Sequence, residues 1–152
     1  MDPRGFLTTN LGLDLAITAW LLAQVIKVVV DFALQKRFDF RLLASSGGMP
    51  SSHSAFVCAL AASIAVLNGI RSSYFALAAA LSVIVMYDAC NVRRAAGEQA
   101  KILNYIIDHW NEMSPSLMGK ELKELLGHTP LQVIVGAILG IMVGGLGAVL
   151  LG

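Results

Sequence analysis

Charge is what this sequence has least of. Only 14% of its 152 residues are Asp, Glu, Lys or Arg, where a soluble domain carries about 25%, so a water-facing surface could not be covered. With 57% hydrophobic residues and a mean hydropathy of +0.72, an ordinary soluble fold is excluded. A net charge of +1 leaves no broad basic field to hold a nucleic-acid backbone. Cysteine is nearly absent: Cys58 and Cys90 both sit inside apolar runs, which rules out a disulfide framework and reads as two buried thiols. Together with His53, His109 and His128 they show no spacing suited to zinc. A clear small-residue cleavage site is also missing near the N-terminus. The first apolar stretch contains Asp14, Lys27 and Asp31 and reads as a retained helix rather than a signal peptide.

What is present is a series of apolar segments: Leu11 to Leu34, Ser54 to Gly69, Tyr74 to Cys90 and Leu131 to Leu151. The outer two reach the ~20 residues that a bilayer requires, and the middle two sit at the lower limit. A pair of buried soluble helices would look similar to the middle two, but their continuous Ala, Leu, Ile and Val content, without a polar face, favours the membrane. From Arg93 to Trp110, the polar Arg94, Glu98, Lys101 and Asp108 alternate at helical spacing with Ile102, Leu103, Ile106, Ile107 and Trp110. That pattern predicts an amphipathic helix lying at the interface. A shorter helix is expected over Met118 to Leu126, ending at Gly127, with Pro130 in the first turn of the last membrane helix. The expected architecture is an all-α integral membrane protein of about four transmembrane helices, forming one domain over residues 1–152.

Four spans sort the basic residues unequally. Lys36, Arg37, Arg41, Arg93, Arg94, Lys101, Lys120 and Lys123 share one side, while Arg4 and Arg71 occupy the other. The basic side is expected to be cytoplasmic, with both termini outside, and the bias survives leaving out Arg41, Arg93 and Arg94. On the last helix Gly136, Gly140, Gly144 and Ala148 recur every fourth residue, forming a smooth ridge for close helix approach. The ridge suits packing within the chain or a homodimer seam.

The chemistry concentrates before the second apolar run, in Ser45-Ser46-Gly47-Gly48-Met49-Pro50-Ser51-Ser52-His53-Ser54. Glycines let backbone N–H groups approach an anion, serines add donors, and a helix start adds partial positive charge, so the parts of a phosphate cradle are present. Read alone, this is also an ordinary Gly/Ser turn with Ser51 or Ser52 capping a helix. The topology, however, places His128, Arg93 and Arg94 on the same membrane face. Two imidazoles with arginines form a kit for phosphoryl transfer: cations and fixed donors for the anion, one imidazole to attack and one to protonate the leaving oxygen. Gln24, Lys27 and Asp31 form a polar stripe on the first helix, where Lys27 either pairs with Asp31 or serves the site.

Gly47 to Ala55 (GGMPSSHSA), Tyr87 to Ala100 (YDACNVRRAAGEQA) and Leu122 to Val133 (LKELLGHTPLQV) resemble the three signature blocks of the divergent branch of the type 2 phosphatidic acid phosphatases (PAP2). The resemblance implies a cofactor-independent phosphatase related to acid phosphatases and vanadium haloperoxidases, built as a helical bundle. It assigns His128 as the nucleophile, His53 as general acid, and the residue at position 132 as the group orienting the His128 ring. Phosphate would be held by Gly48, Ser51 and Ser52, by Arg93 and Arg94, and by Lys27 and Arg41 as stand-ins for the family's first block. The sequence departs from the pattern at Gln132, where the family carries a carboxylate, at Leu122 in place of an Arg, and at Asn91 in place of a Gly. Gln132 can accept a hydrogen bond from the imidazole but cannot stabilise imidazolium by charge, so slower chemistry is expected. The implied substrate is a phospholipid or polyprenyl phosphate at the cell membrane. The alternative is a protein that binds an anionic lipid or helps move it, without turnover.

Overall fold

The computed structural model describes residues 6–36, 48–110 and 127–152, with the side chains at 34–35, 93–94 and 107–110 left aside. It is all-helical: α1 (Leu11–Gln35), α2 (Ser52–Asn68), α3 (Ser73–Cys90), α4 (Val92–Trp110) and α5 (Pro130–Leu151). The expected helix at Met118 to Leu126 lies outside the described residues.

The starts of α1, α2, α3 and α5 are each set by a polar side chain that takes up an otherwise orphaned N–H. Asn10 accepts from Leu13 N at 3.0 Å, Ser51 from Ser54 N at 3.4 Å, Ser72 from Phe75 N at 3.2 Å and Thr129 from Gln132 N at 3.4 Å. These caps explain why α2, α3 and α5 begin one or two residues before their apolar runs do, while α1 begins with its run at Leu11. Asp14 is buried and ties down the segment ahead of α1, accepting from Leu7 N at 2.6 Å, Thr8 N at 2.9 Å and Thr8 Oγ1 at 2.6 Å. Gly69, at φ +82°, makes the turn from α2 to α3 in a conformation that side chains resist.

α2 is the hub of the bundle, packed on α5, α1 and α3. Its core is made of small residues: Ala16, Ala19 and Ala23 of α1 meet Ala55 and Ala59 of α2. The outer surface is the reverse of a soluble protein's, with Val25, Val29, Leu77, Ile84, Ile138 and Val149 all exposed. Spans within α1, α3 running into α4, and α5 are each long and apolar enough to cross a membrane, and α2 is apolar with 17 residues. The protein is therefore a multi-pass membrane protein with about four transmembrane helices. α4 diverges from the bundle, packing mainly on the end of α3. Its Ile102, Leu103 and Ile106 stay exposed, as an amphipathic helix lying in the interface requires.

The glycine ridge of α5 has its partner within the chain. Gly136, Gly140, Gly144 and Ala148 are buried. A Cβ at Gly136 would collide with the Ser51 carbonyl, one at Gly140 with the Ala55 carbonyl, and one at Gly144 with the Ala59 carbonyl. Of the two uses open to this ridge, packing within the chain or a homodimer seam, the structure shows the first: α2 occupies it, because small residues at positions 51, 55 and 59 repeat with the same four-residue period.

Candidate functional site

At one end of the bundle the C-terminal parts of α1 and α3 meet the N-terminal ends of α2 and α5. His53 sits in the first turn of α2, and His128 lies two residues ahead of α5. Their ring centroids are 6.5 Å apart at an interplanar angle of 62°. His128 is buried while His53 is half-buried. Backbone bonds lock the approach: His128 N donates to Ala89 O of α3 at 3.1 Å, and Ser51 N donates to Gln132 O of α5 at 2.9 Å. Three segments distant in the chain are thus stitched around one small volume.

The Gln132 side chain faces His128, with Oε1 3.1 Å from Nδ1. The same oxygen accepts from Thr129 N at 3.1 Å, and a backbone N–H can only donate, so the atom facing Nδ1 is the amide oxygen. A carbonyl oxygen only accepts, which puts the imidazole hydrogen on Nδ1 and leaves the lone pair on Nε2. Gln132 does this from inside a capping box formed with Thr129, so the contact that starts the helix also orients the ring. Sequence reasoning placed Gln132 four residues from His128 but missed the capping box. Its signal is present as Thr129-Pro130-Leu131-Gln132, the Thr-x-x-Gln pattern of a helix start.

Ser51 and Ser52, which directly precede His53 in the chain, are both buried. Ser51 Oγ accepts from Ser54 N at 3.4 Å and from Ser54 Oγ at 3.0 Å. A hydroxyl has two lone pairs and one hydrogen, so these two bonds engage its acceptor side and leave the O–H to donate elsewhere. Ser54 was not singled out from the sequence, and a serine three residues beyond a capping serine is too common to have flagged it. Gly48, at φ +91°, lies on the Lys27 side chain: a Cβ there would be 2.9 Å from Lys27 Cγ and 3.0 Å from Cδ. The structure therefore brings Gly48 together with the buried lysine of α1. Arg93 and Arg94 fall in the first turn of α4, on the same end of the bundle, with their side chains outside the described set. Arg41 lies outside the described residues altogether. Among the described residues, no group of three or more His, Cys, Asp or Glu is placed to hold a metal ion.

The assembled groups are two imidazoles facing one another, one with a defined tautomer, a buried serine hydroxyl set to donate, and a glycine loop resting on a lysine. Such a set can surround an anion and exchange protons with it. Residues 8–143 match the model of the "Divergent PAP2 family". The chain is 44% identical over 146 residues to the uncharacterized membrane protein YuiD of Bacillus subtilis (strain 168), a similarity that covers 90% of this chain and 92% of the relative. No solved structure matches the chain.

Proposed function

Because the chain belongs to the divergent PAP2 family, we propose that it is a membrane lipid-phosphate phosphatase, hydrolysing a phosphomonoester or diphosphate through a phosphohistidine and without a metal. The observation that carries this reading is the 6.5 Å separation of the His53 and His128 rings, a gap that one phosphate group can bridge. His128 Nε2 attacks phosphorus; the P–N bond forms as the P–O bond to the lipid breaks, and protonated His53 gives its proton to the departing oxygen. Water then attacks the phosphohistidine and passes a proton to His53, and phosphate leaves as His128 recovers its lone pair. Gly48, Ser51, Ser52 and Lys27, joined by Arg41, Arg93 and Arg94, hold the phosphate oxygens. Gln132 holds the ring. The basic residues of the sequence put this chemistry on the cytoplasmic leaflet.

A second reading has one observation in its favour. The group facing His128 Nδ1 is a neutral amide rather than a carboxylate, which suits a protein that binds an anionic headgroup, or helps move the lipid, without turnover. The two readings part on whether a bound lipid phosphate leaves intact.

Purified protein in detergent, with chelator present, is expected to release phosphate from at least one member of a panel of lipid phosphates. Vanadate should inhibit the release, and His128→Ala should keep less than about one-hundredth of the rate, as for loss of a nucleophile. Full activity in the alanine variant removes His128 from the reaction, and intact lipid throughout the panel favours the binding protein.

A further inference from the structure

His53 borders two environments. It meets His128, and it also lines a cavity of about 300 Å³, of which His128 is no part, together with Trp20 of α1, Phe56 and Val57 of α2, and Val85 of α3. Apart from the imidazole and the indole N–H, everything that lines it is hydrocarbon or aromatic carbon. Such a space holds water poorly, because water needs two to four polar partners. Its size is at the lower end for small-molecule sites. Trp20, at its rim, is 38% exposed, on a helix whose outer face meets lipid. The cavity therefore communicates with the bilayer.

We propose that this cavity seats one hydrocarbon chain of the phosphate-bearing lipid, entering sideways from the membrane, with His53 marking the junction between chain and phosphate. The inference rests on the hydrolysis reading and deepens it. In-line displacement puts the attacking and leaving groups on opposite sides of phosphorus. If His128 attacks and His53 protonates the leaving oxygen, the lipid alcohol must lie at His53, and the apolar cavity is lined by His53 and not by His128. At ~30 Å³ per methylene, close to the share of volume that a water takes in the liquid, the space accepts roughly ten carbons of a single chain. Bilayer hydrocarbon is as apolar as the cavity wall, so moving a chain from one to the other adds little affinity. The cavity acts by orientation: it holds the ester oxygen beside His53 and the phosphorus before His128.

The two tryptophans are Trp20 and Trp110, so Trp110→Phe leaves Trp20 as the sole indole reporter at the cavity rim. The probe is a non-hydrolysable brominated alkyl phosphonate in reconstituted bilayers, compared with the brominated alcohol of the same chain at equal mole fraction. Bromine quenches indole fluorescence on contact. The phosphonate is expected to quench Trp20 at a mole fraction about fivefold lower than the alcohol, and Val85→Phe, which puts a ring into the cavity and obstructs it, should abolish that difference. Equal quenching by both probes would reduce the cavity to ordinary lipid contact, and a selective effect that survives Val85→Phe would place the chain elsewhere; either overturns the proposal. Selective, Val85-dependent quenching by a protein that releases no phosphate from any lipid keeps the chain site and sinks the hydrolysis reading. Phosphate release with unselective quenching does the opposite.

Discussion

His128 is gripped at two points, its backbone N–H by the Ala89 carbonyl and its Nδ1 by the Gln132 amide oxygen. The second grip sets the tautomer but supplies no charge, so in the proposed reaction Gln132 offers a dipole, not a charge, to the imidazolium-like ring that develops as Nε2 bonds to phosphorus. In a serine protease the change from carboxylate to amide at the equivalent role costs about 10⁴ in turnover, largely through the wrong tautomer. Here the tautomer is already right, so the remaining deficit is the smaller, electrostatic part. Gln132→Glu is accordingly expected to raise kcat by about tenfold, a fraction of that full effect. Glu also serves a capping box as well as Gln does, so the midpoint of thermal unfolding should hold. Gln132→Leu, which releases the ring, should lower kcat by about 10², in the range of a lost orienting or proton-transfer contact. Steady-state rates on the best lipid phosphate measure both, and a Glu variant no faster than the parent would mean that charge at this position is not limiting. The pairing of Gln132 with His128 was legible through the resemblance of Leu122 to Val133 to the third PAP2 block, which puts the orienting residue four positions after the histidine. The second bond of the same oxygen, to Thr129 N, was not read, although Thr-x-x-Gln announces it. The Ser54 support for Ser51 required coordinates.

Among the helices, the contact that matters most for the site is the one between α2 and α5. It runs as a ladder with a step of four: Gln132 O bonds Ser51 N, Gly136 abuts Ser51, Gly140 abuts Ala55, and Gly144 abuts Ala59. Close packing of backbones thus continues into the hydrogen bond that ties Ser51, at the start of α2, to Gln132 near the start of α5. A methyl group at Gly140 would meet the Ala55 carbonyl and lie 2.9 Å from Ala59 N, and backbone cannot swing aside as a side chain can. Gly140→Ala is therefore expected to destabilise the protein by about 1–3 kcal/mol, the usual cost of overpacking, measured by unfolding in detergent against Gly145→Ala. Gly145 has nothing within 4 Å of a built Cβ, so its variant should match or slightly exceed the parent. Equal stability of the two alanine variants would show that the ladder is looser than drawn. The glycine period was plain in the sequence, yet it left two possible partners open, since a ridge states only that something comes close. The missing half was the matching period of Ser51, Ala55 and Ala59, hidden among so many small residues that it carries no contrast. Helix ends, by comparison, were readable to within about two residues, as boundaries usually are, because Ser, Thr and Asn caps flank each apolar run.

Across the whole molecule, most of the described basic residues lie toward the end of the bundle that holds the histidines. Lys36 terminates α1 there in a left-handed conformation, and Lys101 lies on α4, which departs from the same end. The far end carries Arg71 in the turn between α2 and α3, together with the Asp14 cap. Insertion retains Lys and Arg on the cytoplasmic side, and the fold converts that rule into a statement about the site, since His53 and His128 cannot be separated from the basic end without dismantling α2 and α5. The sequence carried the charge count but not the depth of the helices, so the argument about sides rests on charge and the argument about proximity rests on packing. Labelling tests the two together. With Cys58 and Cys90 replaced by Ala, a single cysteine at the exposed Ser73 should react with a membrane-impermeant maleimide in intact cells, whereas one at the exposed Gln99 should react only after permeabilisation. Neither substitution alters a charge, so the topology signal is untouched. The reverse pattern would turn the site outward and make an outer-leaflet phosphate the group that reaches it; labelling of both from outside would mean that α3 does not cross the bilayer between these two positions.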